Sequence, residues 1–507
     1  MGKRILIFVT VCMGLCTTAE AQVTERERPR EWDSLVEGGR FADRFMAMPD
    51  GTLSADTWGA EQTRPRFTDN GIEDRERSYW GGNILRGDDG LYHLFVCGWK
   101  ENSPRGHHQW PYSIVYHTVS ENLQGLYAIR DTIGPGHNPE AFRTADGKYV
   151  VYVIDHYYLA DNINGPWSRH EFEFDARDRK IIEGLSNLTF TRRQDGSYLM
   201  VCRGGGVWIS RTGLTPYNQI SDRRIYPPVE GEFEDPVVWR DSVQYNAIVN
   251  DWLGRVAFYM RSKDGVNWVT DSGEAYMPGI ARHKDGRKED WFKYERIKIF
   301  QDEYGRAVQA NFAVIDTLKD EDKPNDRHSS KNICIPLNPG VRMALVDKNP
   351  ITPATKEIKL LIKAEPGFNP HTDVDVASLR FGASSEVNFG RGCREKGTKK
   401  SGKDLIVIFD AAGNGITPDE FAPKLIGRKK GGLLFGYCRL PWLDYTPAVL
   451  SARKTEIVTK DGKQTISVVV ENFGLRPSRT VEIRATADVN GVPAVIGRST
   501  VPAMKPY

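Results

Sequence analysis

Cysteine is scarce and unpatterned in this chain. Seven cysteines are scattered through 507 residues and no Cys-x-x-Cys occurs, which argues against a zinc ribbon or a dithiol redox site. Cys97 and Cys202 lie in apolar, strand-like runs and read as small buried hydrophobes; a Cys393–Cys438 bridge is left open by the spacing. A surplus of one charge is also missing. The formal net charge is +2, so nothing electrostatic points to nucleic acid or to a membrane surface. Long apolar runs are absent beyond Ile5–Cys16, which is too short for a membrane span. That run follows Lys3 and Arg4 and precedes Ala19-Glu20-Ala21. This is the pattern of a secretory signal peptide over residues 1–21, cleaved near Ala21, with periplasmic or extracellular export. Neither Cys12 nor Cys16 follows a small residue, which weakens a lipoprotein reading. Helical periodicity is nearly absent, which excludes the mainly helical classes and leaves all-β.

What is abundant is a repeated turn. Asp89-Gly90-Leu91-Tyr92, Asp146-Gly147-Lys148-Tyr149 and Asp195-Gly196-Ser197-Tyr198 share the form Asp-Gly-x-Tyr, with a looser copy at Asp241–Tyr245. Asp-Gly between alternating apolar runs signals a hairpin. Recurrence about every 50 residues is the period of a β-propeller blade. Five blades are expected over residues 22–345, with innermost strands starting near Trp80, His137, Leu185, Glu234 and Tyr294, and Gly39–Met46 closing the ring. Asn164-Gly165-Pro166-Trp167 and Asp264-Gly265-Val266-Asn267-Trp268 are expected outer turns with Trp packed between blades. Eleven of twelve Trp precede residue 300, and Val346–Pro350 reads as a linker. Beyond it, residues 356–448 are expected to form a β-sandwich and 449–507 a small immunoglobulin-like module. The fold class expected is therefore a five-bladed β-propeller followed by one or two β-sandwich domains.

In a propeller the innermost strands run the same way, so residues at their starts converge on one end of the axis. Glycoside hydrolysis needs two carboxyl groups there, one to protonate the leaving oxygen and one to attack the sugar or activate water. Asp235 and Glu295, at the starts of neighbouring inner strands, are the expected pair. Asp74 and Glu140 are the next acids to consider. Trp80, Asn83, His137, Asn187, Arg296, Asp251 and Trp252 are expected to contact substrate. Glu234-Asp235-Pro236 has a plainer reading as a turn, Glu295 as a partner of Lys293 or Arg296, and Asp74 as a surface-loop acid. Trp99, Trp110 and Tyr112 either stack on pyranose or fill space between blades; Arg105, His107 and His108 either bind an anionic group or form a solvated loop. No cofactor is required by this reading and no catalytic metal is expected. A structural calcium ion at Asp410, Asn414 and Asp419 competes with a polar turn.

These residues resemble the five-bladed propeller glycosidases related to glycoside hydrolase family 43. The likeness covers roughly residues 40–345 and rests on the Asp-Gly-x-Tyr hairpins, His137-Asn138-Pro139, Asn164-Gly165-Pro166-Trp167, Glu234-Asp235-Pro236 with Trp239, and Ser262-Lys263-Asp264-Gly265 with Trp268. Ser78–Asn83 and Gly184–Asn187 are shared with an uncharacterised secreted bacterial branch. The resemblance implies a secreted glycosidase acting on a polysaccharide or its oligosaccharides. The chain departs from the family at Trp80-Gly81-Gly82-Asn83, where an Asp base is usual. It departs again at Ser186-Asn187, where a Glu acid is usual and Glu183 lies just upstream. A carbohydrate-binding propeller without catalysis, a glycoside phosphorylase and a polysaccharide lyase are the alternatives. The last stretch resembles the immunoglobulin-like modules appended to bacterial enzymes, through Val468–Gly474.

Overall fold

The computed structural model describes residues 23–24, 26–49, 51–52, 68–175, 185–453 and 455–507, and its regular structure is almost all β. The candidate leader and Glu183-Gly184 lie outside the described residues. Among those described, no helix is long and apolar enough to cross a membrane.

Residues 77–336 build five antiparallel sheets. The first holds β1 (Arg77–Arg86), β2 (Tyr92–Lys100), β3 (Ile114–Ser120) and β4 (Ala128–Pro135). The second holds β5 (Glu140–Arg143), β6 (Tyr149–Tyr152), β7 (His156–Ala160) and β8 (Ser168–Glu171). Phe174–Asp175 (β9) pairs in parallel with the outer edge of the third sheet, β10 (Thr189–Arg192), β11 (Tyr198–Val201), β12 (Val207–Ser210) and β13 (Tyr217–Gln219). The fourth holds β14 (Phe233–Arg240), β15 (Tyr245–Asp251), β16 (Val256–Ser262) and β17 (Val269–Tyr276), and the fifth β18 (Lys293–Gln301), β19 (Ala307–Ile315) and β20 (Ser330–Pro336).

The repeated Asp-Gly turns join the first two strands of each of the first three sheets. Gly90, Gly147 and Gly196 take φ of 80°, 91° and 89°, the left-handed region that Gly enters freely. Asp89, Asp195 and Asp241 accept backbone N–H bonds from Leu91, Ser197 and Val243 at 3.0, 3.0 and 2.7 Å, so the side chain folds the turn. A fifth turn of this kind, Asp302–Gly305, joins β18 to β19, with Asp302 accepting from Tyr304 N at 2.9 Å. Its Gly comes three places after the Asp, which hid it from the pattern.

The first strands of the five sheets neighbour one another in a closed cycle, β1–β5–β10–β14–β18–β1. These strands form no ladder with each other, so the buried backbone groups on their inner edges need other partners. Side chains supply them. Asn83 Nδ2 donates to Ala141 O at 2.8 Å, and Asn83 Oδ1 accepts from Ala141 N at 2.7 Å. Glu140 accepts from Phe190 N at 3.0 Å, Thr189 Oγ1 from Val238 N at 3.1 Å, and Asp235 from Arg296 N at 3.0 Å. Aromatic side chains fill the wedges between sheets: Trp167 meets Phe95 edge-on at 5.7 Å, and Trp268 packs beside Leu199, Val238 and Tyr245. The segment before the first sheet meets the fifth by isolated bridges, Phe45 to Leu337 and Ile72 to Asn332. The Phe45 bridge stands in place of the full closing strand expected at Gly39–Met46.

The remaining chain divides in two. Met343–Leu345 (β21), Glu357–Ile362 (β22), Glu395–Ser401 (β24) and Asp404–Asp410 (β25) form one sheet; Val374–Gly382 (β23), Lys424–Lys429 (β26) and Gly432–Tyr437 (β27) form another. Both contribute to one core that includes Leu360, Val407, Phe409, Phe381 and Leu425. Residues 346–350, read as a linker, connect β21 to β22 inside this unit. Asn414 Oδ1 accepts from Ile416 N at 2.8 Å and its Nδ2 donates to Ala411 O at 2.7 Å, so its polar groups serve a turn. Cys393 and Cys438 are both buried and unbridged. From residue 450 on, the chain forms three two-stranded ribbons. One of them, Glu456–Lys460 with Lys463–Ser467, is exposed along its whole length. Phe473 anchors the region against Ile209 and Ile220 of the third sheet.

Candidate active site

Each inner strand is entered by a residue in the left-handed backbone region. Asn138, Asn187, Asp235 and Arg296 have φ of 57°, 51°, 55° and 56°, and Gly81 has 61°. On β1, β14 and β18 this residue lies in a bulge, the device that re-aims side chains beside functional sites. Gly, Asn and Asp enter this region most readily, which explains four of the five. At Gly82, which follows, a Cβ would meet Phe95 O at 2.1 Å, so only glycine fits.

The five residues meet at the axis. Asn138 Nδ2 donates to Asn187 Oδ1 at 2.7 Å, and Asn187 Nδ2 to Asp235 Oδ1 at 2.9 Å. Arg296 donates to Asp235 through Nη1 at 2.6 Å and through its own N–H at 3.0 Å. Gly81 closes the circle without a side chain. A Cβ there would stand 3.5 Å from Asn138 Oδ1 and 3.6 Å from Arg296 Nε. Asn138 Oδ1 and Arg296 Nε and Nη2 are buried without a protein partner, and Oδ1 and Nε face the space Gly81 leaves.

This arrangement separates the expected catalytic acids. Asp235 is 2% exposed and both its oxygens are bonded to Arg296, one also to Asn187. It is the hub of the ring. Glu140 lies deeper, paired with Lys298 and also accepting from Thr189 Oγ1 at 3.2 Å and Phe190 N at 3.0 Å; it stitches β5 to β10. Asp74 accepts from Glu76 N at 2.7 Å and Arg77 N at 2.8 Å and also bonds Tyr79 OH, which makes it the fastener of the turn before β1. Asp251 has a fully buried side chain that accepts from Arg26 Nε at 2.7 Å, Glu232 N at 3.0 Å and Gly254 N at 3.1 Å. Asn83 is spent on Ala141. Their shared physical reason is that a carboxylate or amide whose oxygens are each bonded within the protein is structural bonding already satisfied.

The residue immediately before each ring position behaves differently. These are Trp80, His137, Ser186, Glu234 and Glu295. Glu295 is 2% exposed; its Oε2 accepts from Lys319 Nζ at 2.6 Å, while Oε1 has no hydrogen-bond partner and stands 3.6 Å from Lys293 Nζ. Glu234 pairs with Arg203 and keeps 20% of its side chain exposed. Burial pushes the Glu234 carboxyl up to about 7, helped by the charges of Asp235 and Glu295 and opposed by Arg203 and Lys319. Two carboxyl groups that sense each other thus stand at equivalent places on adjacent sheets.

Aromatic and neutral groups surround them. Lys319 lies over the Trp80 ring at 4.9 Å and Lys293 over the Trp252 ring at 4.9 Å. His137 has Nδ1 2.9 Å from Ser113 Oγ and packs on Trp110 at 4.9 Å. Burial, then the charges of Arg296 and Lys319, hold its pKa well below the usual histidine range, so the imidazole is neutral. Trp110 and Tyr112 are exposed on the short helix Gly106–Tyr112. His107 is buried, 2.8 Å from Ser330 Oγ. Arg105 lies over Tyr112 at 5.2 Å, and His108 is 2.6 Å from Asp320. A crevice beside Glu295, too tight to admit a water molecule, is lined by Asn250, Trp252, Arg255, Tyr276 and Lys293, and Asn250 Oδ1 and Tyr276 OH are buried there without protein partners. Two roomier cavities, of 280 and 350 Å3, lie elsewhere. One is between Arg44, Tyr304 and Phe435, and the other is at the far ends of the inner strands beside Arg143 and Arg192. Neither is lined by Glu234 or Glu295.

Sequence reasoning brought Trp80, His137, Asn187, Arg296, Trp252 and Glu295 to one region and missed Glu234 as a side chain distinct from Asp235. The row of Gly, Asn, Asn and Asp at four of the five strand starts was the available signal, because it marks which residue takes the left-handed turn. Lys293 shares a strand face with Glu295 by the two-residue period. Lys319 comes from the β19–β20 loop, which carries no motif.

No protein-family model matches the chain, and no curated protein matches it. Solved structures similar to it include the catalytic domain of a Coprinopsis cinerea family 62 α-L-arabinofuranosidase, at 13% identity and TM-score 0.38, over 53% of this chain and 94% of that one. A family 117 glycoside hydrolase from Zobellia galactanivorans matches at 11% identity and TM-score 0.37, over 58% of this chain and 90% of its own. A family 43 β-xylosidase/α-arabinofuranosidase from a compost metagenome matches at 11% identity and TM-score 0.35, over 57% and 96%.

Proposed function

We propose that this chain is a secreted glycoside hydrolase on a five-bladed propeller, with Glu234 and Glu295 as its carboxyl pair. The observation that carries this reading is the contrast in bonding. Glu234 has a pKa raised to about 7, and Glu295 has an oxygen with no hydrogen-bond partner. The other acids at the axis are fully engaged. A proton donor needs to be protonated near the working pH, and burial beside a second carboxylate provides that. Glu234 is the acid that protonates the leaving oxygen. Glu295, between two ammonium groups, is the carboxylate that attacks the sugar or activates water.

Sugar hydroxyls would meet Asn138 Oδ1 and Arg296 Nη2, which are otherwise unsatisfied. Buried polar atoms of this kind are costly unless a ligand or water completes them. Neutral His137 and the exposed rings of Trp110 and Tyr112 form the rim. Export through residues 1–21 belongs to the same reading; mass spectrometry of exported protein should find a chain starting at or near Gln22.

The test is turnover of a panel of aryl glycosides by the wild type and by Glu234→Gln, Glu295→Gln and Asp235→Asn. The two Glu variants should lose about a thousandfold or more in kcat while remaining folded. Full activity in both overturns the assignment. Substrate binding with no turnover by the wild type would favour a non-catalytic carbohydrate-binding propeller.

A further inference from the structure

The rim of this site carries more positive charge than its own acids need. Asp235 and Arg296 neutralise each other, as do Asp251 and Arg26. What remains is Glu234 and Glu295 against Arg203, Lys293 and Lys319, with Arg255 lining the crevice. Lys319 uses one of its three N–H donors on Glu295. Lys293 stands 3.6 Å from the nearest carboxylate oxygen, beyond a hydrogen bond. Its side chain is only 5% exposed and lies against Trp252 in the wall of the crevice, where burial pushes its pKa down and the charge of Glu295 opposes that shift. Beneath, Arg296 offers Nε and Nη2, both buried without a partner. Asn138 Oδ1 faces the same space as Arg296 Nε and suits a hydroxyl, not an anion.

The placement of Lys319 is built into the fold. The Gly106–Tyr112 helix and the loop after β19 interlock through His107 N to Asp322 O at 3.3 Å and His108 to Asp320 at 2.6 Å. Gly106 approaches so closely that a Cβ there would stand 1.9 Å from Asp322 O. This clasp holds the loop that lays Lys319 across Trp80 and onto Glu295.

We infer that the sugar taken by this site bears an anionic oxygen substituent, a carboxylate or a sulfate, received by Lys293 and Lys319 with Arg203 and Arg296 alongside. The inference rests on the reading of the axial face as a carbohydrate site and adds the class of sugar. Unspent ammonium donors in a confined, aromatic-walled site favour an anion far more than a neutral hydroxyl does in return.

The experiment is calorimetric binding of matched monosaccharides to the wild-type protein at low and physiological salt. The pairs are D-galacturonate against D-galactose, D-glucuronate against D-glucose, and galactose 6-sulfate against galactose. The expected result is at least tenfold tighter binding of one acidic member. That advantage should shrink as salt screens it and fall to less than threefold in Lys319→Gln. The uronate and sulfate arms identify which anion is taken. A second variant, Gly81→Asp, places a competing carboxylate beside Arg296 in a backbone region that Asp tolerates, and should also erase the preference. Equal or tighter binding of the neutral sugars overturns the inference and leaves the glycosidase reading standing. Binding of no sugar in the panel overturns the inference, and absence of aryl-glycoside turnover as well would overturn both.

Discussion

Glu140 and Glu295 both stand on innermost strands around one axis, a few residues apart in depth, and their surroundings are opposite. Glu140 has its charge matched by Lys298 and its remaining acceptor sites filled by Thr189 and Phe190. Glu295 has two lysines near it, one oxygen without a hydrogen-bond partner, and a neighbour in Glu234 whose carboxyl is raised to about 7. The deeper level resembles a joint and the upper level a site left open. Burial alone therefore does not mark a catalytic acid in this ring. What distinguishes the two levels is whether the protein itself uses up the carboxylate's bonding capacity.

The comparison is sharpened first by charge-removing substitutions at each level. Glu234→Gln and Glu295→Gln should cost about a thousandfold or more in turnover while both variants remain folded. Glu140→Gln should do the reverse: it leaves the Lys298 ammonium buried and unpaired, at a cost of about 3–5 kcal/mol. Urea unfolding should show that loss while activity per folded molecule persists. If Glu140→Gln kept full stability and lost turnover, the division between joint and site would fail.

The next largest effect is on pH. Glu234 is protonated below about 7 when folded, so hydrolysis should decline on the alkaline side as pH rises through that value. For stability the sign is negative with rising pH. A carboxyl whose pKa is raised on folding binds a proton in the folded state that the unfolded chain has already released. Stability therefore falls between the ordinary value of 4.5 and about 7 by on the order of 1–3 kcal/mol. Urea titrations at pH 5 and pH 8 should show this fall in the wild type and a flatter profile in Glu234→Gln. An unchanged profile in the variant would remove Glu234 as the titrating group.

The smallest effect concerns the stitching between sheets. Asn83→Ala leaves Ala141 N–H and C=O without their partner, at about 1–3 kcal/mol, with kcat unchanged. A kcat loss larger than the stability loss would return Asn83 to the substrate-contacting group.

The hairpins and the strand starts were legible because Asp and Gly carry the turn in their own chemistry, as Asp89-Gly90 and Asp195-Gly196 illustrate. The convergence of Trp80, His137, Glu234 and Glu295 followed from where strands begin. The spacing did not separate Asp235 from Glu234, because the choice depends on a one-residue bulge, and a shift of one reverses which side chain faces the pocket. The roles of Asp74, Glu140 and Asp251 were hidden because their partners, Tyr79, Lys298 and Arg26, were not foreseen from spacing. Lys319 enters from a loop whose position is set by its clasp with the Gly106–Tyr112 helix. The C-terminal ribbons were expected as a sandwich because their alternation is strong. Yet Ile457, Val458, Val492 and Ile496 are exposed, since alternation marks strands without saying what covers them.

The central claim, that Glu234 donates the proton to the leaving group, is tested most directly by leaving-group dependence. A series of aryl glycosides of the sugar that the wild type hydrolyses, spanning phenol to 2,4-dinitrophenol, should be turned over by Glu234→Gln with a steep dependence on phenol acidity. The slowest members should be nearly inert and the dinitrophenyl glycoside close to wild type, because a good leaving group departs without protonation. A loss by the same factor across the whole series would contradict the claim and assign Glu234 a role other than proton donor.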